Sequence, residues 1–136
     1  MRRNKMGNIK GLHHVALKCK GPDEYKKALA FYRDTLGLPV LREWGGGENA
    51  ACMLGTEHGR VELFANAQSD LPQGNIRHFA FDVSDTDSLC EAVKAAGYEV
   101  FDGPRDVIIP SDPPYPARIA FCFGPLGEEI EFFCEK

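Results

Sequence analysis

No stretch of this sequence is long and apolar enough to cross a bilayer, and no stripe of basic residues runs along it. The first absence argues against a membrane span, the second against nucleic acid or an anionic membrane as partner. A formal net charge of −4 points the same way, toward a small molecule or another subunit. C-x-x-C pairs are also missing. The five cysteines (Cys19, Cys52, Cys90, Cys122, Cys134) are odd in number and lie mostly in apolar runs, which suggests reduced, packed thiols and a cytoplasmic setting. The opening MRRNKMGNIKG is basic, but no uninterrupted apolar segment of signal-peptide type follows it. Residues 1–8 read as a flexible N-terminus.

The chain has enough apolar material, 43% of 136 residues, for one compact domain, expected over residues 9–136. LHHVALKC alternates like a strand. GP followed by Asp23 and Glu24 then opens a helix, along which Tyr25, Leu29, Tyr32 and Leu36 form one apolar stripe before Gly37 ends it. LPVLREW, AACML and RVELFA follow as three short strands separated by the turns GGGEN and GTEHG. From Asn75 the order begins again. IRHFAFDV is a strand, SDTDSLCEAVKAAG a helix ending at Gly97, and YEVFD, ARIAFCF and EIEFFC are strands. The proline-rich segment 103–116 reads as a loop, either a lid or a stiff connection. Each half is therefore βαβββ, the first over 9–66 and the second over 75–136.

The repeat extends to individual residues. HVAL recurs as HFAF and VELF as IEFF, so His14 matches His78 and Glu62 matches Glu131. Strand alternation puts His14 with Ala16, and His78 with Ala80, on a face of small side chains beside the imidazoles. The glutamates lie between bulky apolar neighbours, where an unpaired carboxylate would be costly to bury. Two imidazoles and two carboxylates around a divalent cation resolve that cost. A single strand histidine is more often hydrogen-bonded or exposed than a ligand, and a single strand glutamate more often faces water. Four matched positions weigh against coincidence. His13 and His58 have no counterparts; both read as surface residues or as supports behind the ligands, and neither is assigned a role.

HVAL, ALAFYRDTLGL, VELF, HFAF and GPLGEEIEF together resemble the vicinal oxygen chelate superfamily, which includes glyoxalase I, acyl-CoA epimerases, extradiol dioxygenases and fosfomycin-resistance proteins. The resemblance covers nearly the whole chain. It implies an α+β fold, two βαβββ modules forming a curved mixed sheet around a metal-bearing cavity, closed within one chain or across a dimer. The ligand set His14, Glu62, His78, Glu131 is most similar to that of glyoxalase I. The resemblance assigns Glu131, or Glu62 on the opposite face, as a ligand that can detach and act as the base.

Charge bears on the reaction. Two carboxylates neutralise a divalent ion and leave its bound water less acidic than at an all-histidine site, which disfavours hydroxide attack. Better suited is a metal that holds two adjacent substrate oxygens and stabilises an enediolate while a glutamate moves a proton between neighbouring carbons. The N/O ligands admit nickel, zinc, cobalt, manganese or iron, one ion per site. The resemblance implies a hemithioacetal or similar substrate and a thiol co-substrate. It matches Asn66 to a substrate-binding asparagine, but where glyoxalase I proteins have an arginine four residues after the first histidine this chain has Lys18, which lacks the planar fork. Arg118 is either a further cation of the cavity or a surface residue. Another enzyme of the superfamily (an epimerase, thiol transferase or dioxygenase) and a non-catalytic small-molecule-binding resistance protein are the alternatives. Each half supplies only one histidine and one glutamate, so two halves must face each other, within one chain or across two copies; the short connection NAQSDLPQGN and the resemblance to glyoxalase I proteins imply a homodimer.

Overall fold

The computed structural model describes Asn8 and residues 12–136. The expectations of a flexible residue 1–8 segment and of a domain starting at residue 9 fall largely outside the described residues. The elements run β1 (His14–Lys18), α1 (Gly21–Ala30), β2 (Val40–Trp44), β3 (Ala51–Gly55), β4 (Arg60–Phe64), β5 (His78–Asp82), α2 (Thr86–Ala95), β6 (Val100–Ile109), β7 (Tyr115–Phe123) and β8 (Glu129–Glu135). The fold is α+β and consists of two βαβββ modules. Among the described residues they form two four-stranded sheets, β1-β4-β3-β2 and β5-β8-β7-β6. In each, the first strand pairs parallel with the last and the other pairings are antiparallel.

Local chemistry starts both helices. Pro22 occupies the first turn of α1, Asp23 and Glu24 face its positive end, and Glu24 accepts the Lys20 amide at 2.7 Å. Asp85 caps α2 by accepting the Ser88 amide at 3.1 Å. Gly37 and Gly97, both at positive φ, close the helical segments of the two halves.

One face of each sheet packs under the helices. Val61, Leu63, Cys52 and Leu54 from the first sheet and Ile130, Phe132, Ala120 and Cys122 from the second join Tyr25, Ala28, Phe31, Tyr32, Cys90 and Val93 in a shared core. Burying each large aliphatic or aromatic side chain there contributes about 1.5–3 kcal/mol. The expected stripe of α1 is altered at its end. After Ala30 the chain widens into a π-turn over Phe31–Thr35, closed by the Leu36 amide on the Phe31 carbonyl at 2.9 Å. Two consecutive aromatics, Phe31 and Tyr32, are thereby both fully buried, while Leu29 and Leu36 are only half-buried. Phe31 meets Tyr98 of the second module edge-to-face at 4.9 Å, so this turn joins the two halves.

The proline-rich segment is mostly strand. β6 continues to Ile109 and β7 begins at Tyr115, so the connection between them is residues 110–114, too short for the expected loop 103–116. Pro104 is accommodated in a break of register between Asp102 and Arg105, where no ladder amide is required of it. None of the helices in the described residues is long and apolar enough to cross a membrane.

Candidate functional site

The sheet faces away from the helices carry the matched histidines and glutamates. Along β1, His14, Ala16 and Lys18 are exposed while Val15 and Leu17 turn inward, and β5 repeats this with His78, Ala80 and Asp82 exposed. Register then decides which neighbours meet. Ala16 stands opposite Glu62 on β4, and Ala80 stands opposite Glu131 on β8. A small residue at that point lets the histidine two places earlier reach across to the glutamate. His14 Nε2 lies 3.3 Å from Glu62 Oε1, and His78 Nε2 lies 3.2 Å from Glu131 Oε1. In both pairs the carboxylate is the sheltered partner, 11% and 12% accessible, and the imidazole the open one, 38% and 42%. Burial pushes the Glu131 carboxyl above its ordinary range, an effect that its contact with His78 opposes.

Each pair offers one imidazole nitrogen and one carboxylate oxygen, donors suited to nickel, zinc, cobalt, manganese or iron. One pair supplies two donors, half of a four-ligand set. The expected four do not converge within the chain: among the described residues no group of three or more histidine, cysteine, aspartate or glutamate side chains is placed to hold a metal ion. The donor chemistry of each pair suits half of a divalent-metal site, and no more than that. β1 and β5 are edge strands of separate sheets, and the grooves between them are lined by Ala16, Lys18, His78 and Glu129 on one side and by His14, Arg60 and Ala80 on the other.

The remaining expected residues are distributed unevenly. Lys18 lines the same groove as His78. Asn66 lies just past β4, where it is exposed and its backbone pairs with Lys20. Arg118 is not a cation of this face. On β7, Ile119, Phe121 and Phe123 share the Glu131 face, so Arg118, with the buried Ala120 and Cys122, turns toward α2. There its guanidinium donates to Asp87 at 2.9 and 3.1 Å and to Asp106 at 3.2 Å, and these carboxylates raise its pKa further.

His13, to which the sequence assigns no role, stands beside His14 in the structure. Alternation would send it away from His14, but β1 begins at His14 and residue 13 escapes that constraint. Its Nδ1 lies 2.9 Å from His14 Nδ1. Which of the two nitrogens carries the proton depends on the tautomers of the rings. Two adjacent histidines at a strand entrance were the available signal.

Residues 11–132 match the glyoxalase/bleomycin resistance protein/dioxygenase superfamily. The chain belongs to this superfamily. No curated protein matches it by sequence. Among solved structures, a glyoxalase/dioxygenase from Nostoc punctiforme is similar at TM-score 0.74 and 20% identity, over 100% of this chain and 98% of that one. An integron cassette protein from the mobile metagenome of the Halifax Harbour sewage outfall is 26% identical, with TM-score 0.69, over 93% of this chain and 99% of that one. TnmS3, an antibiotic-binding protein from Streptomyces sp. CB03234, is similar at TM-score 0.67 and 21% identity, over 95% and 100% of the two chains.

Proposed function

We propose that this superfamily member is a divalent-metal-dependent, glyoxalase I-like lyase or isomerase that moves a proton between adjacent carbons of a hemithioacetal or similar small molecule with neighbouring oxygens. The observation that carries this reading is the identical construction of the two His–Glu pairs, each with its alanine in the same register. A fold needs neither histidine nor glutamate at these places, and core apolar residues would be cheaper to bury. His14, Glu62, His78 and Glu131 would hold the ion. When bound, it would hold two adjacent substrate oxygens and spread the charge that develops on them.

The chain's own residues supply the rest. Glu131 is sheltered and beside His78, so its carboxyl is the group we assign to take the proton and return it to the neighbouring carbon. Glu62, built the same way, is its counterpart on the other half-site. The Lys18 ammonium lies on the open face two residues beyond Ala16 and would attract an anionic group of the substrate or its thiol portion.

Because the four donors do not meet within one chain, the reading includes a homodimer. The first module of one copy faces the second module of the other, giving two equivalent sites about a two-fold axis. The second reading is a binding protein without turnover, favoured by the likeness to TnmS3. Metal analysis of the purified protein and of the His78→Ala variant, with an activity screen of hemithioacetals of several cellular thiols, separates them. The enzyme reading expects stoichiometric metal lost in the variant and turnover by the wild type. Metal-free protein without turnover contradicts it.

A further inference from the structure

The two modules share a construction, so positions where they differ in chemistry are informative. Phe121 stands opposite Glu131, and Phe123 opposite Glu129. In the first module the same places, opposite Glu62 and opposite Arg60, hold Met53 and Gly55. The irregular point of β2, between Val40 and Arg42, is Leu41, and the same irregularity in β6, between Val100 and Asp102, is Phe101. Leu41 lies over Gly55, where an added Cβ would meet its side chain at 2.6 Å, just as Phe101 lies against Phe123 at 4.3 Å. One scaffold thus carries Leu41, Met53 and Gly55 in its first copy and three phenylalanines in its second. The fold has no need of the aromatic rings.

These rings also stand outside the shared core, half-buried on the open sheet face. Phe101 and Phe121 are nearly parallel, 12° apart with centroids 5.8 Å apart, and Phe121 and His78 meet at right angles with centroids 5.3 Å apart, their planes at 88°. A partly exposed aromatic wall is therefore continuous with the His78–Glu131 pair. We propose that Phe101, Phe121 and Phe123 form a subsite for a planar aromatic group attached next to the chelated oxygens, so that the substrate class is aryl-substituted rather than small and aliphatic. Aromatic rings stack offset or edge-on at such spacings, and a flat group sliding along the wall keeps its adjacent oxygens beside Glu131. The proposal rests on the reading of His78 and Glu131 as half of the reacting site.

Two arms test it on the full-length chain. In the first, the metal-free protein is titrated with 4-nitrobenzyl alcohol, an aromatic that does not chelate, while the His78 ring resonances are followed by NMR. A saturable shift, abolished in the Phe101→Leu/Phe121→Met variant, is expected. These substitutions install side chains that the first module carries at the same positions, and a circular-dichroism spectrum and denaturation midpoint like the wild type's verify that the variant folds. In the second arm, nickel-loaded protein is titrated with benzohydroxamate and acetohydroxamate. The aromatic chelator should bind at least about tenfold tighter, with the preference falling to about threefold or less in the variant. Equal affinity for the two hydroxamates, a preference that survives the substitutions, or no His78 shift in the first arm would overturn the subsite. A His78 shift that the substitutions abolish, together with no binding of either hydroxamate, would uphold it and defeat the metal reading instead.

Discussion

Tyr32 donates its phenolic hydrogen to Glu128 at 2.7 Å, linking the π-turn of the first module to the turn before β8 of the second, 96 residues away. Both groups are sheltered. Glu128 also accepts the Leu126 amide at 2.8 Å, and Gly124 leaves the space its carboxylate fills. Removing the hydroxyl in Tyr32→Phe leaves a buried carboxylate short of one donor, so a loss of about 1.5–3 kcal/mol is expected in chemical denaturation. A variant as stable as the wild type would show that the link holds nothing.

Glu128 also sets a pH dependence. Burial raises its carboxyl above the usual range, and the bonds from Tyr32 and the backbone only partly oppose this. A raised folded-state pKa means that the stabilising contribution is complete below the unfolded carboxylate value and lost as pH rises through the folded one. Relative to Glu128→Gln, which stays neutral, the wild type should therefore lose stability as pH rises above the ordinary carboxylate range. Denaturation midpoints of both proteins across that rise check the sign, and a constant or opposite difference contradicts it.

His13 should matter to metal and not to folding. With His13 gone, the His14 ring loses the partner of its second nitrogen, and metal affinity should drop by about tenfold or more, as when such supporting partners are removed elsewhere. Competition with a chromogenic chelator measures this. His58→Ala, in the exposed turn between β3 and β4, is the control and should change nothing.

Glu131→Gln keeps the size and one oxygen donor and removes the basic carboxylate. Metal content should persist while turnover falls by at least about a hundredfold. Near-normal turnover in a metal-loaded variant would transfer the proton-moving role to Glu62.

Much of this was legible in the sequence for a physical reason: the repeat wrote the same constraints twice. The βαβββ order and the inward-facing residues of the first strand of each half follow from alternation and turn chemistry, and the structure reproduces them, whereas the contacts of His14 with Glu62 and of His78 with Glu131 come from the strand register. What alternation cannot see was misread or missed. Arg118 stays open in the sequence between cavity cation and surface residue because its face depends on the register of β7 with Glu131, and Asp87 and Asp106 hold it on the helix side. Residues 103–109 read as loop because Gly103 and Pro104 open a segment that carries four more prolines by residue 116, but the register break around Pro104 lets β6 continue. The π-turn has no periodic signature, since it inserts an extra residue into the helical repeat. His13 lies one residue outside β1, so strand alternation does not govern its side chain.

The central claim is that two copies of the chain each give one His–Glu pair to a common site. Mixing His14→Ala protein with Glu131→Ala protein, both inactive alone, after partial unfolding to exchange subunits, tests it directly. In a shared-site heterodimer one site carries both lesions and the other none, so about half the wild-type activity and metal per heterodimer should return. Verified exchange with no recovery of either would contradict the claim.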